Sequence, residues 1–123
     1  MKKKLLAAVV LTILPLSAAG AMDVATFLGK ADALQKKGMM ALFSSDYKAL
    51  KAQIEADSQT LRNERLAAER AHRRGAYCPP AKPGLNSNEI LAAFRSIPAA
   101  QRARIDTKDA LRALLARKYP CRS

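Results

Sequence analysis

Few side chains in this sequence are equipped for chemistry: two cysteines, one histidine and a pair of aspartates. A thiolate beside a base is a nucleophile, so Cys78 or Cys121 with His72 would be the first catalytic pair to consider. His72, however, sits among Arg70, Arg73 and Arg74, and neighbouring cations lower the basicity of an imidazole. It reads as a solvated helix residue. Asp106 and Asp109 could serve as the acid and base of a hydrolase. Their places before and within the first turn of a helix account for them as cap and dipole partner instead. There is no glycine-rich phosphate loop and no cluster at metal-ligand spacing. The residues therefore predict no enzyme, no catalytic residue, no metal and no cofactor.

What the two sulfurs do depends on where the chain matures. Lys2, Lys3 and Lys4 form a positive start, Leu5 to Leu14 is apolar apart from Thr12, and Pro15 ends the run. Ala19-Gly20-Ala21 then places small residues where a signal peptidase reads them. Residues 1–21 thus read as a secretory signal peptide cleaved near Ala21, and the protein as periplasmic or secreted. The apolar run is well short of the roughly 20 residues that span a bilayer. No later segment is apolar enough to cross one, so the mature chain is expected to lack a transmembrane anchor. Export takes Cys78 and Cys121 to an oxidising compartment, where an even pair reads as a disulfide rather than as two free thiols. Closing a loop of roughly 40 residues is worth about 4 kcal/mol in the chain-entropy estimate. That is a large share of a small domain's stability.

Charge is unevenly placed. Loss of Lys2, Lys3 and Lys4 takes the net charge from +12 to +9. Residues 22–60 are balanced, with five lysines and five acidic residues, whereas residues 61–123 hold eleven arginines and three lysines against five acids. Arginine's rigid fork matches carboxylates and phosphates, so the second half points to an anionic partner. Nucleic acid is not expected, because aromatic residues are scarce and no stacking platform is visible. A protein or an anionic envelope component is.

These residues need elements to hold them, and periodicity supplies four main helices. Asp23 caps a helix over 24–37 whose buried stripe is Val24, Phe27, Leu28, Ala31 and Leu34, closed by Gly38. Met39, Met40, Leu42 and Phe43 read as a short buried bend whose methionines fill gaps in the core. A long helix over 46–74 follows, with Tyr47, Leu50, Ile54 and Leu61 on one face. Its second half, rich in Arg62, Arg65, Arg70, Arg73 and Arg74, is expected to project into water or to kink near Asp57-Ser58. Pro79, Pro80 and Pro83 make residues 76–84 a connector. Asn86 and Glu89 form a capping box, with Leu85 stapled onto Ile90, and Ile90, Leu91, Phe94 and Ile97 make the next stripe. A short helix over 98–104 and a last helix over 107–118, capped by Asp106 and buried through Leu111, Leu114 and Leu115, complete the chain. Lys108, Arg112 and Arg117 are expected to face outward. The fold class is all-α: a small helical bundle of about four main helices with one disulfide, residues 22–123 forming a single domain.

Two motifs frame the second half: Tyr77-Cys78-Pro79-Pro80 and Lys118-Tyr119-Pro120-Cys121. Between them lie a helix with Ile90 and Phe94, the Ile97-Pro98 break, and a helix ending in Leu111, Leu114 and Leu115. This arrangement resembles the C-terminal half of the Tai-type (Rap/Tai) amidase-immunity family, small helical periplasmic proteins with an aromatic-Cys-x-Pro and an aromatic-Pro-Cys motif. The resemblance covers residues 77–121. Residues 22–75 depart from it, since the long helix replaces the family's glycine- and tyrosine-containing first helix. It implies a disulfide between the two cysteines and a non-catalytic inhibitor of a cell-wall-degrading amidase from a type VI secretion system. The contact surface would use Arg102, Arg104, Arg112 and Arg117. The alternative is an envelope-associated protein that docks Arg62, Arg65, Arg70, Arg73 and Arg74 on anionic lipid or wall polymer. A small chaperone exposing apolar surface is a third reading.

Overall fold

Capping side chains set where each helix begins. In the computed structural model, which describes residues 21–122, four α-helices run in order: α1 (Val24–Lys37), α2 (Ser45–Arg70), α3 (Ser87–Arg95) and α4 (Thr107–Lys118). The signal peptide read at residues 1–21 lies outside the described residues, apart from Ala21. Asp23 accepts the Thr26 amide at 2.8 Å, Ser44 that of Tyr47 at 3.2 Å and Asp106 that of Asp109 at 2.8 Å. Asn86 and Glu89 exchange the two bonds of a capping box, at 2.9 and 3.0 Å. Each satisfies amides that have no partner inside their own helix.

The apolar stripes of the helices meet in one core. Val24, Phe94 and Leu111 are wholly buried, with Leu61 beside them. Phe27 meets Phe94 edge to face, with ring centroids 5.1 Å apart. Helix α1 packs on the other three, and α4 packs on α2 and α3. The disulfide Cys78–Cys121 is formed, with Cα atoms 4.9 Å apart.

Of the two courses expected for helix α2, a break near Asp57-Ser58 is not the one taken. The helix is continuous past Asp57-Ser58, and Asp57 faces inward. Its carboxylate accepts the Thr107 hydroxyl at 2.6 Å and the Gln53 amide at 3.0 Å. Both Asp57 (6 % exposed) and Thr107 (0 %) are buried. Thr107 opens α4, so the carboxylate also lies at the positive end of that helix. The first amides of the helices interlock as well. Thr107 donates to the Met22 carbonyl at 2.8 Å and Val24 to that of Ile105 at 2.9 Å, bridging Asp23 and Asp106.

The far end of α2 stops at Arg70, four residues before the expected Arg74. His72 is no helix residue: it takes a left-handed φ of 53°, and Arg73 donates back to the Ala68 carbonyl at 2.8 Å. This is the Schellman closure, which more often uses glycine. The helix expected over 98–104 is a single 3-10 turn, Ala99–Gln101. Just after it the Arg102 side chain turns back onto the carbonyls of Ile97 and Arg95, at 2.8 Å each.

The Met-rich bend is the plainest correction. Gly38–Phe43 forms a 3-10 turn, but Met39 (81 % exposed) and Phe43 (79 %) stand in solvent, as do Met40, Leu42 and Tyr47. Helices α1 and α2 pack together, and Leu34 and Leu50 are buried in the core. Among the described residues the turn packs chiefly on the ends of α1 and α2.

Reducing the disulfide, or Cys78→Ser, should remove about 4 kcal/mol of stability, read as a large fall in Tm. Asp57→Ala should cost about 3 kcal/mol, since it strands a buried hydroxyl, whereas Asp57→Asn keeps an acceptor and should cost about half as much; urea unfolding checks both.

Candidate functional site

Residues 71–86 carry no helix and three prolines, so they cannot hold themselves by ladder or helix bonds. The end of α4 holds them instead. The Cys78 amide donates to the Tyr119 carbonyl at 2.8 Å. The Tyr119 hydroxyl donates to the Gly84 carbonyl and accepts its amide, each at 3.1 Å. Lys118 donates to the same carbonyl and to Glu89, both at 2.7 Å. With the disulfide beside them, these bonds make the connector a fixed wall.

That wall faces α2 across an open cleft of about 560 Å³. Its apolar lining includes Ile54, Tyr77, Pro80 and Leu85, and Arg62 and Arg65 come from α2. Tyr77 is buried in the core. The Arg65 guanidinium lies 6.0 Å from its ring centroid and pairs with Glu69 at 2.8 Å. The Arg65 Nε is buried without a hydrogen-bond partner, and the guanidinium is compensated by Glu69 and by the negative ring face of Tyr77. Arg62 is exposed and forms no ion pair among the described residues. The cleft can therefore bury an apolar group and hold a carboxylate at its rim.

The structure separates the two arginine sets expected to bind a partner. In the first, Arg102 is bound to backbone carbonyls. Arg112 holds Glu64 at 3.0 Å and also pairs with Asp109. Glu64 raises the Arg112 pKa above its ordinary value; burial opposes it, and Asp109 adds to the rise. Arg112 is thus half-buried between α2 and α4 rather than turned outward. Arg104 and Arg117 are exposed. In the second set, Arg65 is held over Tyr77, while Arg62, Arg70, Arg73 and Arg74 are exposed and form no ion pair among the described residues. Asp106 and Asp109 serve as cap and ion-pair partner. Among the described residues no group of three or more His, Cys, Asp or Glu could hold a metal ion, and no helix is long and apolar enough to cross a membrane.

Sequence reasoning missed Glu64, Asp57 and the Tyr119–Gly84 stitch. Asp57 was findable, because it follows Leu50 and Ile54 at helical spacing and precedes Leu61 by one turn. Glu64 and Gly84 carry no such local signal. No family model matches the chain, nor does any curated protein or solved structure.

The Glu89–Lys118 pair makes the wall sensitive to pH. Lys118, and after it the Asn86 amide, hold the Glu89 carboxyl below its ordinary 4.5, and Glu89 holds Lys118 above its ordinary 10.5. The Glu89 contribution to stability is therefore complete above pH 4.5 and lost as pH falls through the lowered folded value. That of Lys118 is complete below pH 10.5 and lost as pH rises past its raised value. Glu89→Gln should flatten the acid limb of a Tm–pH profile but not abolish it, because Asp23 is also lowered, chiefly by the Thr26 amide.

Proposed function

We propose that this chain is a non-catalytic, exported binding protein of the amidase-immunity type that its residues 77–121 resemble. It takes an acidic segment of a cell-wall-degrading enzyme into the cleft between α2 and the proline connector. The observation that carries this reading is the cleft itself: an apolar floor on a disulfide-fixed wall, with the exposed Arg62 at its edge. Apolar area gives the binding energy and the guanidinium selects a carboxylate. The wall is already ordered, so closing on a partner costs little conformational entropy. The non-catalytic part of the reading rests on what the reactive groups do. The sulfurs are joined, Asp106 and Asp109 are engaged in α4, and His72 closes α2. The exported part rests on the leader-like sequence pattern of residues 1–21 and on the disulfide, a bond of oxidising compartments.

A second reading has its own observation. Arg70, Arg73 and Arg74 are exposed at the end of α2, as an envelope protein docked on an anionic wall polymer would need.

One experiment separates the two. The protein is used as bait in periplasmic extract and, separately, mixed with purified peptidoglycan sacculi across a salt series. The immunity reading expects capture of a peptidoglycan amidase whose hydrolysis is blocked, with binding weakened at least about tenfold by Arg62→Glu. The wall reading expects retention on sacculi that falls steeply with salt and with a triple change of Arg70, Arg73 and Arg74 to Glu. Binding to neither rejects both.

A further inference from the structure

All the large apolar side chains that stand exposed among the described residues fall within nine consecutive positions: Met39, Met40, Leu42, Phe43 and Tyr47. The exposures reach 81 % at Met39 and 79 % at Phe43, so these groups project from the turn rather than line a hollow. They are not on a loose loop. Gly38 closes α1 at φ 58°, the Ser44 amide donates to the Ala41 carbonyl at 3.0 Å, and Ala41 packs against the core. Lys30 of α1 pairs with Asp46 of α2 at 3.1 Å across the base of the turn. The apolar tip is held out by structure.

The charges around the tip are nearly all of one sign. Residues 36–51 contain Lys36, Lys37, Lys48 and Lys51 and a single acid, Asp46, which is engaged by Lys30. Lys36, Lys37 and Lys48 are exposed and form no ion pair among the described residues, and Lys51 reaches Glu55 only at 3.9 Å. An apolar tip flanked in sequence on both sides by exposed lysines matches an anionic lipid surface. Methionine, leucine and phenylalanine enter the acyl boundary, tyrosine sits at headgroup level, and lysines lay their stems along the interface with ammonium groups on phosphates. A second copy of the chain fits worse, because a two-fold contact through this tip would set Lys36, Lys37 and Lys48 against their own equivalents. A bilayer also deforms around a protruding tip, whereas a protein partner would need a groove shaped for it.

We infer that the 3-10 turn Gly38–Phe43 is a peripheral membrane anchor, inserting Met39, Met40, Leu42 and Phe43 into an anionic bilayer surface with Lys36, Lys37 and Lys48 on its phosphates. Helix α2 starts at this turn and its 26 residues end near Arg70, about 39 Å away at the helical rise. An anchored molecule therefore points Arg70, Arg73 and Arg74 away from the lipid. The inference does not depend on the proposed function, since the cleft and the tip share no residue.

The sequence contains no tryptophan, so Phe43→Trp introduces a single reporter at the tip. The full chain is expressed, the recovered protein is weighed by mass spectrometry, and every variant is compared in the same form. It is mixed with vesicles of phosphatidylcholine alone, or of phosphatidylcholine with phosphatidylglycerol, with and without bromine on the acyl chains. Expected are sedimentation with the phosphatidylglycerol vesicles, a blue shift of the introduced indole, and its quenching by the brominated chains. Met39→Ser with Phe43→Ser should lower the bound fraction at least about tenfold with an unchanged thermal melt, since both side chains are exposed. Changing Lys36, Lys37 and Lys48 to Glu should abolish the preference for phosphatidylglycerol. Arg62→Glu should leave vesicle binding unchanged and the double serine variant should leave partner capture unchanged, so this inference and the proposed function fail separately. An unquenched indole overturns the anchor even if arginines elsewhere hold the protein on the vesicles. So does full binding by the double serine variant. A blue shift that follows protein concentration without lipid overturns it in favour of self-association, and one produced by an unfolded polypeptide without lipid overturns it in favour of chaperone-like capture.

Discussion

The proline connector is held in place from outside itself, by the last residues of α4. A segment with three prolines and no helix has few backbone bonds of its own to make. Here the disulfide Cys78–Cys121, the Cys78 amide on Tyr119, and Tyr119 and Lys118 on Gly84 fix it at both ends. Everything on that side of the molecule follows. Tyr77 is carried into the core next to Cys78, Arg65 is laid over its ring, and the cleft acquires its second wall. The start of α3 is tied to the same point, because Glu89 closes the capping box and accepts Lys118.

The other end of α4 is anchored by different means. Its first residue, Thr107, donates its amide to Met22 and its hydroxyl to Asp57. A buried carboxylate is costly unless its oxygens are satisfied. Asp57 has both oxygens bonded and a helix N-terminus nearby. It gives α2 a polar register on α4 that a leucine in its place would not. Midway, Arg112 bridges to Glu64, adding a third tie between the same two helices. Helix α4 thereby joins the N-terminal segment, α2 and the connector, and among the described residues Arg65, Arg95, Arg112 and Lys118 of the second half are held in ion pairs.

Part of what remains unpaired is distributed by end. Guanidinium groups collect at the C-terminal end of α2 and along the cleft, while apolar side chains and lysines collect at the turn before its N-terminal end. A helix of this length keeps the two surfaces apart, so a molecule of this size can face an anionic surface with one end and a partner with the other. The two surfaces are chemically distinct. One combines an apolar floor with rigid planar forks, and the other combines flexible apolar side chains with point charges on long stems.

Helix boundaries and most of the core were legible in the residues, because caps, glycine closures and a repeat of three and four are local signals. The helices 24–37 and 107–118 and the Asn86–Glu89 box were readable that way, and the disulfide from an even cysteine pair behind a leader-like start. The end of α2 was not, since a histidine can take the left-handed place that a reader expects of glycine. Nor was the exposure of Met39 to Phe43, because composition says that such side chains prefer burial and only the arrangement of neighbours says whether anything covers them. The arginines show the same division. The sequence by itself determined how many there are and that they crowd the second half. The fold alone decided that Arg102 and Arg112 are held by backbone and acid while Arg62 and Arg70 stand free, because a charge is paired or available according to what lies within a few ångströms of it. Those neighbours, Glu64 for Arg112 and the Ile97 carbonyl for Arg102, are set by packing.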